Sequence, residues 1–127
     1  MIYLDVDDLL HIAARVVGGV DVRDVGLLEA AAARPQATTS GGETYPSLRL
    51  KVAALLHSVA TTQPLVDGNK RLALATTIAF LGVNGKRLTL SNDKSHNLID
   101  SVANGSLRNV EEIAAAFRTG PRRPRPH

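Results

Sequence analysis

Apolar positions recur along this chain at the three- and four-residue spacing of a helix face. Leu9, Leu10, Ala13, Val16 and Val17 form the first such stripe, behind Asp5, a good cap, and ahead of the stop Gly18-Gly19. The spacing predicts a helix over about residues 6 to 17. Asp24 heads a second, alanine-rich segment, "VGLLEAAAAR", which should end near Arg34 because Pro35 disfavours helical geometry at the residue before it. The stretch "QATTSGGETY" has turn chemistry and no period, so an exposed loop or a short hairpin is expected.

From Pro46, a suitable first helical residue, the positions Leu48, Val52, Leu55, Leu56 and Val59 trace a third helix to about Thr62. "LALATTIAFL" is apolar on nearly every face and is expected to be the buried centre of the fold, ended by Asn84-Gly85. "KRLTL" reads as a short edge strand or extended connector. Ser91 caps a helix with Leu98, Ile99 and Val102 inward and Gly105 beyond its end. Asn109 and Glu112 resemble a capping box opening a last helix with Val110, Ile113, Ala114 and Phe117 inside. The prediction is an all-α fold: a compact bundle of about six helices around a buried central helix, with a short flap hairpin or loop. Residues 1 to 120 make one domain, and the Pro/Arg-rich residues 121 to 127 a disordered tail.

Composition supports this picture. At 127 residues one core is the default, and with two Tyr, two Phe and no Trp that core falls to Ala, Leu, Val and Ile, which suit close-packed helices. The absence of Cys excludes disulfides, thiolate chemistry and Cys-based zinc sites. No signal-peptide pattern opens the chain and no apolar run reaches membrane-spanning length, so a cytoplasmic protein without a membrane partner is expected. The formal charge of +3 belongs to Arg122, Arg123 and Arg125 in the tail, because the other twelve basic residues balance the twelve acids. Three arginines permit only weak, salt-sensitive contact with nucleic acid.

The chemistry concentrates in "QPLVDGNKR", residues 63 to 71. A loop entering a helix presents free backbone N–H groups and the positive end of the helix dipole, an anion site by construction. Gly68 allows close backbone approach to a ligand, Asn69 can hydrogen-bond phosphate oxygens, and Lys70 and Arg71 add a point charge and a planar fork. Asp67, an acid among cations, is suited to hold Mg²⁺, which takes one or two carboxylates together with phosphate oxygens and water. The plainer reading makes Asp67 a cap, Gly68 a turn and the cations a solvated first turn. Against it, two cations at a helix start oppose the dipole by a few tenths of a kcal/mol each. The spacing is neither that of a Walker A loop nor that of an EF-hand.

These residues resemble the signature H-x-F/L-x-D-x-N-K-R of the Fic/Doc family, on its Doc (death-on-curing) toxin branch. The similarity extends to "GLLEAAAARPQ", the "GGETYP" loop, "KVAALLHSVA" and "AFLGVNG". It implies a small all-helical fold and transfer of a phosphate from ATP, with Mg²⁺, to a hydroxyl of elongation factor Tu, which inhibits translation. Fic enzymes that transfer AMP carry G-N-G-R-x-x-R, whereas Lys70 and Leu74 here depart from that pattern and favour the Doc branch. Position by position, the resemblance makes Asp67 the metal ligand, Gly68 and Asn69 the anion cradle, and Lys70 and Arg71 the phosphate clamps. "TTSGGETYP" becomes the flap that docks the target, and a Phd-type antitoxin the partner that lays a helix in a groove over the site.

One position departs. Gln63 stands where the family has the histidine that takes the target hydroxyl's proton, and a carboxamide does not titrate near neutrality. Loss of a positioned base usually lowers a rate by about 10² to 10⁴, so binding and chemistry are expected to separate. His57 lies on the preceding helix, His11 and His96 in distant helices and His127 in the tail, and none reads as a substitute. The alternative to an impaired toxin is a non-catalytic module that keeps nucleotide or antitoxin recognition.

Overall fold

The computed structural model describes residues 1–122, which form six helices, a 3-10 turn and two small antiparallel ribbons. The helices are α1 (Val6–Val16), α2 (Val25–Ala33), α3 (Leu48–Thr62), α4 (Asn69–Val83), α5 (Asn92–Ala103) and α6 (Val110–Ala116). Their starts follow the short polar residues that the sequence supplies. Asp5 and Asp8 close a reciprocal box at α1, Asp24 accepts from the Gly26 N–H, Ser91 from Lys94 and Asn109 from Glu112.

Helix α3 opens at Leu48, past the Pro46 that the sequence suggests as its first residue. Ser47 is the cap, its hydroxyl accepting from the Leu50 N–H, because an acceptor side chain satisfies an orphan donor and a proline cannot. Arg34 also departs from expectation: despite Pro35 it keeps right-handed helical angles and leads into a 3-10 turn over Arg34–Gln36. The tighter turn, closed by Ala37 N–H to Arg34 carbonyl at 3.0 Å, accommodates the proline at its start.

The centre of the bundle is α3 rather than α4. Residues 51 to 56 of α3 are buried without interruption, and α2, α4, α5, α6 and the 3-10 turn all pack on it. Helix α4 buries Leu72, Ala73, Thr76, Thr77, Phe80 and Leu81, while Ile78 on its other side is 50% exposed. Its apolar sequence thus serves a core on one face and an open surface on the other. Buried Thr76 and Thr77 are accommodated because both hydroxyls donate to the Ala73 carbonyl, at 3.1 and 2.8 Å.

The flap segment is a hairpin of β1 (Thr38–Thr39) and β2 (Gly42–Glu43). Lys51, 2% exposed, anchors it from below, donating to the Tyr45 and Pro35 carbonyls and pairing with Glu43 at 3.1 Å. "KRLTL" supplies β3 (Lys86–Leu88), which pairs with β4 (Thr119–Pro121). Pro121, at the start of the expected tail, is therefore part of a strand, and the Arg122 N–H donates to the Gly85 carbonyl at 3.0 Å. The rest of that expected tail, 123 to 127, lies outside the described residues. No helix among the described residues is long and apolar enough to cross a membrane.

Candidate functional site

Six residues join α3 to α4, and their backbone is set by the segment that joins α1 to α2. Val22 bridges Leu65 in antiparallel fashion, the Val66 N–H donates to the Asp21 carbonyl at 2.8 Å, and the Arg23 and Asp24 N–H groups share the Pro64 carbonyl at 2.8 and 3.1 Å. Two connectors far apart in sequence thereby form one short ribbon beside the helix entrance.

Gln63 is not in the extended geometry expected of a residue before proline. It is the C-cap of α3, left-handed at φ 53° and ψ 65°, and is the one non-glycine residue with positive φ among those described. Pro64 blocks continuation of the right-handed helix, and a left-handed cap turns the chain sharply back toward α4. The last carbonyls of α3 would otherwise lack donors. Arg23 supplies them, Nε donating to the Gln63 carbonyl at 2.8 Å and Nη2 to the Thr62 carbonyl at 2.6 Å.

Asn69 does work other than the phosphate contact expected of it. Its Oδ1 accepts from the Leu65 N–H at 2.9 Å and its Nδ2 donates to the Leu65 carbonyl at 2.8 Å. Leu65 is buried, so its peptide groups need internal partners, and the Asn69 amide provides both. Gly68 likewise answers a demand of the fold. As the cap residue of α4 it is left-handed at φ 87°, and a Cβ there would lie 2.6 Å from Val17 Cγ2 at the end of α1.

With glycine at the cap, α4 begins without a side-chain cap, and its first residues, Asn69, Lys70 and Arg71, line the cleft. Asp67 is exposed, one carboxylate oxygen accepting from the Gly68 N–H at 2.8 Å. Lys70 and Arg71 are exposed in the first turn, and Lys70 Nζ lies 3.1 Å from Asp100 on α5. Gln63, Asp67, Gly68, Asn69, Lys70 and Arg71 line one cleft of about 420 Å³. The structure brings every sequence-predicted site residue to this cleft. Its chemistry suits an anion: dipole, backbone donors and two cations on one wall, with a single carboxylate able to hold a divalent ion between itself and phosphate oxygens. No cluster of three metal-ligating side chains occurs among the described residues, so any metal here depends on oxygens brought by a ligand.

Next to this cleft, sharing Lys70 and Arg71 with it, runs an apolar groove of about 430 Å³ between α4, α5 and the end of α1, lined by Val16, Leu74, Ile78 and Ile99. None of the three histidines among the described residues lines the cleft, and His127 lies outside those residues. His57 on α3 sits with Nδ1 2.7 Å from Arg34 Nη1, accepting from it while neutral, and partial burial and then the Arg34 charge lower its pKa. His11 Nδ1 lies 2.8 Å from the Asp7 carbonyl within α1, and His96 edges the apolar groove.

Sequence reasoning missed Arg23, Val17 and Asp100. Arg23 acts on residues 39 and 40 positions away, and no local period marks such a contact. Asp100 was legible only as one polar position of a helix.

Two comparisons bear on this geometry. A model of the Fic/DOC family matches residues 3–81, which span α1 through most of α4 and include the whole cleft loop. Over 116 residues the chain is 46% identical to a protein named Toxin Doc from Mycolicibacterium smegmatis, an alignment that covers 89% of this chain and 88% of that relative.

Proposed function

Because the chain belongs to the Fic/DOC family, we propose that it is a Doc-type toxin of a toxin–antitoxin module, built to pass a phosphate from Mg-ATP to a hydroxyl of a target protein. Elongation factor Tu is the proposed target and translation the process inhibited. The observation that carries the reading is the uncapped start of α4, where Asp67, Lys70, Arg71 and position 63 share one cleft.

In this reading the α4 N–H groups and Arg71 cradle phosphate oxygens, and Lys70 exchanges Asp100 for phosphate. Both partners of that pair are more than half exposed, so the exchange costs little. Asp67 would hold Mg²⁺, which supplies charge neutralisation on the phosphates when bound. The bond between the terminal phosphorus and its bridging oxygen breaks, the target oxygen takes that phosphorus, and the hydroxyl proton must leave. Gln63, on the cleft wall, can orient the hydroxyl but has no site that accepts its proton near neutrality. Transfer by this chain is therefore weak while nucleotide binding persists.

The apolar groove beside the cleft supports a Phd-type antitoxin as partner. An amphipathic helix laid along Val16, Leu74 and Ile78 would end over Lys70 and Arg71 and shield the cleft. A second reading draws on Gln63 itself: a non-catalytic module that retains nucleotide or antitoxin binding.

One experiment separates them. The Gln63→His chain, incubated with γ-labelled ATP, Mg²⁺ and elongation factor Tu, is expected to label the factor about 10² to 10⁴ times faster than the parent, and to arrest growth when expressed. Unchanged labelling with Mg-ATP binding intact by calorimetry favours the binding module.

A further inference from the structure

The residue that faces the transferred group in the proposed reaction holds an unusual backbone. Gln63 at φ 53° is in a region that a residue with a Cβ seldom adopts, so something must hold it there. Pro64 disfavours one alternative, the right-handed helix, which Arg34 nonetheless keeps before Pro35, and leaves the extended conformation open, the geometry that the sequence by itself suggests. The difference is made from outside the motif.

We propose that Arg23 is a positioning residue for position 63. Its guanidinium is a planar fork, and the two carbonyls it engages belong to consecutive residues, Thr62 at 2.6 Å and Gln63 at 2.8 Å. Both oxygens can meet one fork when the backbone at Gln63 has a helical sense, as the left-handed cap has, so that successive carbonyls point the same way. An extended Gln63 would swing its carbonyl away from that of Thr62. The positive charge also lies at the negative end of the α3 dipole, where a cation is favoured.

The same segment fixes the other side of the joint. The Arg23 and Asp24 N–H groups hold the Pro64 carbonyl, Asp21 holds Val66, and Val22 pairs with Leu65. Position 63 is thus gripped through its own carbonyl and through the peptide that follows. Its side chain is left exposed on the wall of the cleft that Asp67, Lys70 and Arg71 complete. Arg23 itself is not among the residues that line the cleft, so its effect on chemistry passes through the backbone of residue 63. The assignment of a catalytic consequence rests on the phosphotransfer reading; the conformational assignment does not.

The test uses the full chain, isotope-labelled, with the strong intraresidue amide-to-Hα contact of a left-handed residue as the signature at position 63. Arg23→Met is expected to lose that signature while the amides of residues 69 to 71 keep their shifts. Retention of the signature in Arg23→Met overturns the proposal. Where Arg23→Met does not fold, Arg23→Lys decides: it keeps the charge but not the fork, and a weakened signature is expected, an unchanged one being fatal.

The chemical arm adds Arg23→Lys to Gln63→His. The expected result is a fall in kcat on the order of ten- to a hundredfold with KM for Mg-ATP unchanged, since only the group over the cleft is displaced. Equal loss in both parameters would mean general damage and count against a positioning role. Should Gln63→His transfer no phosphate with Arg23 intact, the phosphotransfer reading fails, and the nuclear-magnetic-resonance arm still judges Arg23.

Discussion

Gly68 illustrates how a motif residue can be fixed by a neighbour. Gly68→Ala meets two penalties, a left-handed φ that costs a Cβ-bearing residue about 1–2 kcal/mol and an overlap with Val17 that adds about 1–3 kcal/mol. Urea unfolding should therefore show a loss of several kcal/mol for the single variant. Adding Val17→Ala removes the overlap but not the backbone strain, so the double variant should lose less than the sum of the two singles; strict additivity would contradict the packing account. Asn69 teaches the same lesson, since its amide is committed to both peptide groups of Leu65. The sequence marked both residues as parts of an anion-binding loop at a helix start. It could not say to whom they answer, because Val17 and Leu65 are ordinary apolar positions.

At the scale of elements, helix number, type and most starts were legible because five of the six starts carry a short acceptor, Asp5, Asp24, Ser47, Ser91 and Asn109, and the interiors carry their own period. What was not legible was which helix lies at the centre. Composition pointed to α4, yet α3 is buried more completely, including Lys51. A lysine inside reads as a surface residue until its partners are known, and those partners sit in the hairpin and the 3-10 turn. Lys51→Met should leave the helices in place and loosen β1 and β2. The expected cost is about 1–3 kcal/mol, near the lower end because Glu43 is half exposed and can return to water. Hydrogen exchange should quicken at residues 38 to 45 first, and a uniform rise across α3 and α4 would mean that Lys51 supports the core instead of the flap.

At the scale of the whole molecule, one titrating group ties the bundle to pH. His57 accepts from Arg34, whose guanidinium also reaches the Tyr45 hydroxyl, the Ser58 hydroxyl and the Ala54 carbonyl, so the segment after the flap, the 3-10 turn and α3 meet at one guanidinium that the imidazole touches. Its pKa lies below the usual 6.5, by burial and then by the Arg34 charge, with a backbone carbonyl contact from Arg108 acting the other way. The unfolded chain therefore binds the proton more readily than the folded one. Stability from this group is full above about pH 6.5 and is lost as pH falls from there through the folded value. Thermal unfolding followed from pH 7.5 to 5 should show a decline that His57→Gln flattens, because a glutamine oxygen accepts from Arg34 without protonating. An identical decline in both proteins would assign the effect to other groups.

The two ends of the described chain meet at a single turn. The Asn84 side chain accepts from the Ile2 N–H and donates to the Ile2 carbonyl, both at 2.8 Å, and Gly85 next to it accepts from Arg122. Ile2 and Arg122, far apart in sequence, are thus held on neighbouring residues of one turn. The order in which a ribosome writes the helices is then incidental to the shape. A permuted gene that fuses the ends and opens between Ser40 and Gly41, at the hairpin tip, would preserve the α3–α4 joint and its ribbon while cutting only the flap.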